Sequence, residues 1–186
     1  AVNERVVAVS GKIIYESKDR KFQAYLNHAA RGINQYKQYA VIKYQHLLFG
    51  NCVIKQSVFH ELNLNLTLLA YGGEELEFAY RLNAKYPQQI IACKTAIVTR
   101  VNHPKLITHC LRLEEFGRKN LIQLHSVLQK QVVRYSGFLY RSAIMKIAAF
   151  ILYRFALKTY KIPCLGYIMI KLGMLMAIVL GYQKAR

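Results

Sequence analysis

Two adjacent carboxylates that follow a pair of glycines are the residues of this sequence best suited to chemistry. They are Glu74 and Glu75, in the segment Tyr71–Leu82, YGGEELEFAYRL. Glycines let another molecule come close to the backbone. A carboxylate at the start of a helix stays ionised and is held in place, and in a cleft it can take a proton from an incoming hydroxyl. The segment therefore predicts a general base, although an acidic first turn that only faces solvent has the same pattern.

The surrounding pattern predicts how this segment is positioned. Gly72 and Gly73 break the chain before a helix that runs from Glu74 to about Lys85, and Pro87 ends the segment. The remaining pattern alternates short apolar runs with helical stretches, which is typical of an α/β fold. We expect strands at Val6–Ser10, Lys12–Tyr15, Leu47–Ile54, Gln89–Cys93 and Ala96–Val101, and helices at Arg20–Gln35, Gln56–Leu62 and from Pro104 to roughly Val132.

The composition points to a folded, basic protein. The chain has 186 residues, of which 54% are hydrophobic, and a formal net charge of +18. This is enough apolar material to bury a core, so the composition indicates a folded chain rather than a disordered one. All nine acidic residues lie at or before Glu115, and from Phe116 onward there are twelve Lys or Arg in the most apolar part of the chain. Basic and apolar character together favour an anionic membrane surface over nucleic acid.

The C-terminal part reads as a basic, apolar helical hairpin. Gly137 separates it, Phe138–Lys158 is apolar but interrupted by cations, and Cys164–Tyr182 is nineteen residues long with Lys171 as its one charge. A lysine at the bilayer centre costs about 2.5–3.5 kcal/mol. A hairpin lying in the interface therefore fits better than a span, with a soluble packed tail as the other alternative. We predict two domains, residues 1–132 and 133–186.

The order of motifs along the chain resembles the second half of the family 2 glycosyltransferases of the GT-A fold. The resemblance covers roughly residues 5–122 and rests on five segments in the family's order. These are VVAVSGKIIYES, LLFGNCVIKQSVFHELN, YGGEELEFAYRL, AIVTRVNHPKL and LRLEEFGRKNL. It implies the C-terminal half of a Rossmann-like GT-A domain, followed by the apolar basic helices. It also implies inverting transfer of a sugar from a nucleotide-sugar donor to the hydroxyl of a glycan or lipid-linked acceptor.

The resemblance also implies roles for individual residues. Glu75 falls on the family's catalytic Asp, as the base on the acceptor hydroxyl, and Glu74 falls on the preceding acidic position. His103 matches a His near the donor diphosphate and its Mg²⁺ or Mn²⁺, although a hydrogen-bonded structural His is equally consistent with a lone His after a strand. The residues assigned to substrate binding are Gly50, Asn51, Gly72, Gly73 and Arg118.

One part of the family pattern is missing. The sequence has a single Asp, Asp19, and therefore no DxD to bind a metal. We expect the donor-binding half to lie upstream and the 186-residue chain alone to be inactive. The four cysteines form no CxxC pair, which indicates reduced thiols in a cytosolic setting and so attachment at the cytoplasmic face of a membrane. The alternatives are a non-catalytic membrane adaptor and a basic nucleic-acid-binding module.

Overall fold

The computed structural model describes residues 5–68, 70–133 and 143–185, and it confirms a mixed α/β protein. Its strands are β1 (Ala8–Ser17), β2 (Cys52–Ile54) and β3 (Ile90–His103). Its helices are α1 (Arg20–Leu26), α2 (Gln56–Leu62), α3 (Glu74–Lys85), α4 (Leu106–Lys119), α5 (Ser126–Val133), α6 (Ala143–Thr159) and α7 (Gly166–Lys184). Short 3₁₀ turns lie at Gly32–Gln35, Tyr44–His46, Phe49–Asn51 and Leu121–Gln123. The predicted break at Gly137 lies outside the described residues.

The strands form a small mixed sheet in the order β2-β1-β3. The central strand β1 pairs antiparallel with β2 and parallel with β3. Between Gly11 and Lys12 the partner of β1 jumps from Cys93 to Ile97, so β3 bulges there. This bulge explains why the predicted pairs of short strands are each one continuous strand: the interruptions at Gly11 and before Ala96 are absorbed within the ladder.

The helix predictions divide into two groups. Gln56–Leu62 and Glu74–Lys85 match α2 and α3 at both ends. The long helix predicted from Pro104 to Val132 is instead broken into α4, a 3₁₀ turn and α5, because the buried Asn120 leaves the helix after Lys119. Likewise α1 ends at Leu26 and only a 3₁₀ turn reaches Gln35, and the strand expected at Leu47–Ile54 is reduced to its last three residues.

The chain divides into two compact units. The first unit comprises Ala1–Ser17, Leu26–Leu66 and Glu74–His103, and it holds the sheet with α2 and α3. Its core includes fully buried side chains from the sheet and α3, such as Phe78, Leu82 and Ile90. The second unit comprises Lys18–Tyr25, Thr67–Gly73 and Pro104–Arg186, and it is helical. The predicted division into residues 1–132 and 133–186 stays a prediction.

Within the second unit, α4 and α7 pack backbone against backbone. A Cβ added at Gly117 of α4 would lie 2.3 Å from the Ile178 carbonyl oxygen, and one added at Gly181 of α7 would lie 2.0 Å from that of Glu114. Only glycine allows this approach. At the end of α7, Lys184 Nζ donates to Glu114 at 2.5 Å. The apolar helix α7 is therefore a packed helix of this unit, with Ile170, Met176 and Val179 buried.

We predict that Gly181→Ala and Gly173→Ala have opposite effects on stability, although both lie in α7. A methyl group at position 181 must push the helices apart, which costs about 1–3 kcal/mol. A methyl group at position 173 meets Ala156 Cβ at 3.6 Å, an ordinary contact. Alanine is also favoured over glycine inside a helix by roughly 0.8–1.0 kcal/mol. Chemical denaturation should show a lowered midpoint for Gly181→Ala only, and equal loss in both variants would contradict the close helix contact.

Candidate functional site

The first turn of α3 presents three carboxylates, from Glu74, Glu75 and Glu77. Glu77 has a structural role, because Arg81 donates hydrogen bonds to both of its carboxylate oxygens, at 2.7 and 2.9 Å. The same guanidinium donates to the Leu62 and Asn63 carbonyl oxygens at the end of α2. Arg81 thereby fixes α3 against α2, and the other two carboxylates remain for chemistry. The i, i+4 spacing of Glu77 and Arg81 was the sequence signal for this clamp.

Glu75 has the surroundings of a proton acceptor. The residue as a whole is exposed, but its carboxyl group is partly desolvated. This desolvation raises the pKa of Glu75, and the charge of Glu74 raises it further. A hydrogen bond from the Phe49 backbone and the positive charge of Arg100 act in the opposite direction. A carboxylate whose pKa lies above its ordinary value takes a proton more readily near neutral pH, as a general base must.

Glu74 contributes an unused hydrogen-bond acceptor. Its Oε2 is fully buried and accepts no hydrogen bond from the part of the chain that the structure describes. Buried carboxylate oxygens are normally paired, since leaving one without a donor costs free energy. A ligand hydroxyl would supply the missing donor. A role for Glu74 in positioning an acceptor stays a prediction.

The 3₁₀ turn Phe49–Asn51 lines the same region of the first unit. Besides the Phe49 hydrogen bond to Glu75, the next residue Cys52 has its thiol pKa raised to about 11 by burial and by the charge of Glu75. Cys52 therefore stays a neutral thiol beside the carboxylates. Gly50 is exposed in this turn. The structure thus brings the predicted residue Gly50 into the neighbourhood of Glu75, together with Phe49, Cys52 and Arg100, which sequence reasoning missed.

Asn51 has a defined structural task in the sheet. Its Nδ2 donates to the carbonyl oxygens of Lys12 at 2.8 Å and Ala96 at 3.0 Å. These two carbonyls flank the bulge where β1 and β3 change register, so one side-chain amide replaces the lost ladder bonds. Substrate binding by Asn51 stays a prediction. Its observed contacts hold the strands together next to the turn that contacts Glu75.

Gly72, Gly73 and Arg118 lie in the second unit. The two glycines adopt positive φ angles of 79° and 103°, a conformation that side chains other than glycine rarely adopt. The buried Asn120 holds this segment: its Nδ2 donates to Ala70 O at 2.7 Å and Gly72 O at 2.6 Å. Arg118 is exposed on α4. Sequence reasoning missed Asn120, which fixes the residues that immediately precede the two carboxylates.

His103 ends β3 and is buried, with its ring 5.0 Å from the Tyr15 ring in an edge-on arrangement. Within the described ranges, no three His, Cys, Asp or Glu side chains converge as metal ligands. These residues do not by themselves make a site for Mg²⁺ or Mn²⁺, which need several oxygen ligands. The single Asp is also engaged elsewhere, since Asp19 accepts hydrogen bonds from the Phe22 N–H, the Leu106 N–H and the Tyr160 hydroxyl.

Comparisons of the chain with protein-family models, with curated proteins and with solved structures give no match. The chemistry of the site therefore has to be inferred from its side chains and their surroundings.

We predict that Glu75→Gln stabilises the chain at neutral pH. A carboxyl group whose pKa is raised by folding opposes the folded state once it is ionised, so its penalty grows as pH rises through the unfolded and then the folded pKa. Thermal unfolding should show a higher midpoint for Glu75→Gln than for the unsubstituted chain at pH 7. The difference should vanish at pH values below the ordinary pKa of glutamate.

Glu115→Gln is the matched control for that measurement. Lys119 lowers the pKa of Glu115, so ionisation of Glu115 favours folding, and the pair is exposed. Its removal should give a small loss at neutral pH, of opposite sign, which disappears in acid. A Glu75→Gln variant that is less stable than the unsubstituted chain at pH 7 would contradict the desolvation of Glu75.

We predict that Asn120→Ala destabilises the chain by about 1–3 kcal/mol, because it leaves the carbonyls of Ala70 and Gly72 without their donor. Gln123→Ala is the control, since the exposed Gln123 side chain makes one hydrogen bond, to the Lys119 carbonyl. Urea denaturation should give a free energy of unfolding that is lower for Asn120→Ala than for Gln123→Ala by more than about 1 kcal/mol. Equal midpoints would contradict the role of Asn120.

Proposed function

We propose that this chain carries the catalytic base and the acceptor-positioning carboxylate of an inverting, nucleotide-sugar-dependent glycosyltransferase. The observation that carries the proposal is the pair at the start of α3: Glu75 with a raised pKa, beside Glu74 with a buried and unused oxygen. The resemblance of the motif order to the GT-A fold of the family 2 glycosyltransferases supports the same reading. The donor would be held by residues outside these 186.

The proposed reaction is a single displacement. Glu75 takes the proton of the acceptor hydroxyl while the acceptor oxygen attacks the anomeric carbon of the sugar. The bond from that carbon to the nucleoside diphosphate breaks, the diphosphate leaves with the electron pair, and the configuration at the carbon inverts. Glu74 Oε2 accepts a hydrogen bond from the acceptor and orients it. A divalent ion would offset the charge of the leaving diphosphate, with its main ligands in the proposed donor-binding half, and His103 is the residue of this chain proposed to lie near it.

The partners follow from the same proposal. The acceptor would be a glycan or a lipid-linked glycan, and the basic, acid-free stretch after Glu115 would bring the site to the cytoplasmic face of a membrane. One helix in the described part of the chain, α7, has the length and mean hydropathy of a membrane-crossing segment, and 44% of that stretch is buried inside the protein. Composition alone therefore does not distinguish it from a core helix.

A non-catalytic membrane adaptor is the competing function, and one observation favours it. The sequence has Glu74-Glu75 where the resembling family has Glu-Asp, and the side chain at the position of the base is one methylene longer. A displacement near 1 Å can cost about 100-fold in rate. An adaptor needs no base, so the two functions differ in what Glu75 does. Nucleic-acid binding is less well supported, because the basic region is also the most apolar one.

We predict that Glu75→Gln lowers kcat by about 10²–10⁴-fold in a protein that joins this chain to its donor-binding half. Glu74→Gln should mainly raise KM for the acceptor, and Glu16→Gln is the surface control. The measurement is release of nucleoside diphosphate, with and without acceptor, from a panel of nucleoside-diphosphate sugars. The 186-residue chain alone should show no transfer. An active joined protein whose rate is unchanged by Glu75→Gln would contradict the assignment of the base.

A further inference from the structure

The helix α6 has apolar side chains on two opposite faces. One face packs inward, with Ala149, Tyr153 and Ala156 buried. The opposite face is exposed, and we call it the outer face of α6. Its members recur at a spacing of three or four residues and are more than half exposed: Ile144 at 76%, Ile147 at 62%, Ile151 at 59% and Phe155 at 54%, with Phe150 at 53% beside them.

An exposed apolar strip of this kind on one helix marks an interaction surface. The charges near the outer face indicate which kind of partner can occupy it. Arg154 and Lys158 are exposed on the same helix, Lys161 follows it, and no acidic residue occurs after Glu115. The occupant must therefore be both apolar and negatively charged. A bilayer that contains anionic phospholipid has both properties, whereas a nucleic acid has only the charge.

A basic cavity adjoins the C-terminal end of α6. It has a volume of about 350 Å³ and is lined by five cations, one carboxylate and one tyrosine: Lys18, Asp19, Arg20, Lys21, Lys105, Tyr160 and Lys161. The carboxylate is engaged within the protein, because Asp19 accepts the Tyr160 hydroxyl at 2.9 Å and two backbone N–H groups. The excess positive charge therefore faces the cavity. Its chemistry suits a phosphate group.

Length and hydropathy indicate a membrane-crossing segment in α7 and not in α6. The described residues contain one helix of spanning length and hydropathy, α7, but α7 packs against α4 through Gly117 and Gly181. Because the two backbones are so close, α7 cannot turn this face toward lipid without losing its contact with α4. Among the described helices of the second unit, α6 carries the most exposed large apolar side chains, whereas α4 has two, Ile107 and Leu111, and α7 has one, Ile168.

We propose that α6 lies in the plane of a bilayer containing anionic phospholipid, with its outer face among the acyl chains and the basic cavity over a lipid phosphate. The proposal deepens the membrane contact of the proposed function and rests on that part of it alone. Vesicle binding needs no sugar, nucleotide or upstream residues. If the chain binds vesicles but has no role in transfer, only the proposed function fails. If it has a role in transfer but does not bind vesicles, only the membrane proposal fails.

The absence of tryptophan from the sequence allows a direct test of the outer face. Single variants Phe155→Trp and Ile147→Trp should each show a blue-shifted emission on addition of vesicles of phosphatidylcholine with phosphatidylglycerol. Brominated lipids should quench both to a similar, shallow depth. Leu111→Trp, at an equally exposed site on α4, should not respond. A spanning helix would place positions 147 and 155 about 12 Å apart in depth, and that result would overturn the in-plane arrangement.

The binding energetics provide a second test. Ile147→Gln with Ile151→Gln should weaken vesicle binding by at least about tenfold. Its control is Ile107→Gln with Leu111→Gln, which removes equally exposed apolar residues from α4. Lys105→Gln with Lys161→Gln should weaken binding to anionic vesicles on the order of 25-fold, at about 1 kcal/mol for each lysine near the surface. Lys37→Gln with Lys43→Gln removes the same charge from the first unit and should leave binding nearly unchanged.

Three results would overturn the proposal. The first is equal binding to neutral and anionic vesicles, which would show that the excess positive charge of the cavity takes no part in binding. The second is an equal loss in the test and control pairs, which would make the attraction diffuse. The third is a blue shift that increases with protein concentration in the absence of vesicles, together with a dimer in sedimentation velocity. This result would show that a second copy of the chain covers the outer face.

Discussion

Two carboxyl groups on neighbouring residues begin α3, and the charge of Glu74 together with desolvation opposes the ionisation of Glu75. The proposed chemistry depends on this constraint. If both groups were freely solvated, Glu75 would be an ordinary weak base and the turn a common acidic helix start. The Phe49 backbone hydrogen bond and the charge of Arg100 act in the opposite direction and limit the rise in the pKa of Glu75.

Two side chains of the first unit, those of Arg81 and Asn51, support the elements around that pair. Arg81 ties Glu77 to the end of α2, which fixes the direction of α3. Asn51 joins β1 to β3 at their bulge and so supports the turn from which Phe49 reaches Glu75. Asn51, which the resemblance assigns to substrate binding, thus makes contacts that support the turn beside Glu75.

The sequence predicts the elements whose signals are local. The helix α3 is bounded by two glycines and a proline with acidic residues in its first turn, and its predicted and observed limits agree. The break at Asn120 could not be predicted, because its cause is a set of hydrogen bonds to Ala70 and Gly72, about 50 residues earlier. The raised pKa of Glu75 likewise depends on desolvation by the folded chain, and the two groups that oppose the rise, Phe49 and Arg100, are brought near it only by folding. The α/β class is confirmed, while the GT-A half stays a proposal.

The exposed surfaces of helices α6 and α7 also could not be predicted from the sequence. Hydropathy ranks α7 as the more membrane-like segment, yet its glycines pack it against α4, and α6 is left with the exposed apolar face. Which side of an apolar helix remains exposed depends on its packing partners, and composition does not contain that information. The membrane contact that we propose is therefore one face of one helix rather than the hairpin as a whole.

Chemical rescue tests the central claim most directly. In a protein that joins this chain to the donor-binding half proposed for it, Glu75→Ala should lose transfer, and added formate should restore a measurable rate by replacing the missing carboxylate. The unsubstituted protein and a Glu74→Ala variant should gain nothing from formate. Transfer by Glu75→Ala at the unsubstituted rate, or a loss that no added carboxylate restores while Glu74→Ala is rescued, would contradict Glu75 as the base.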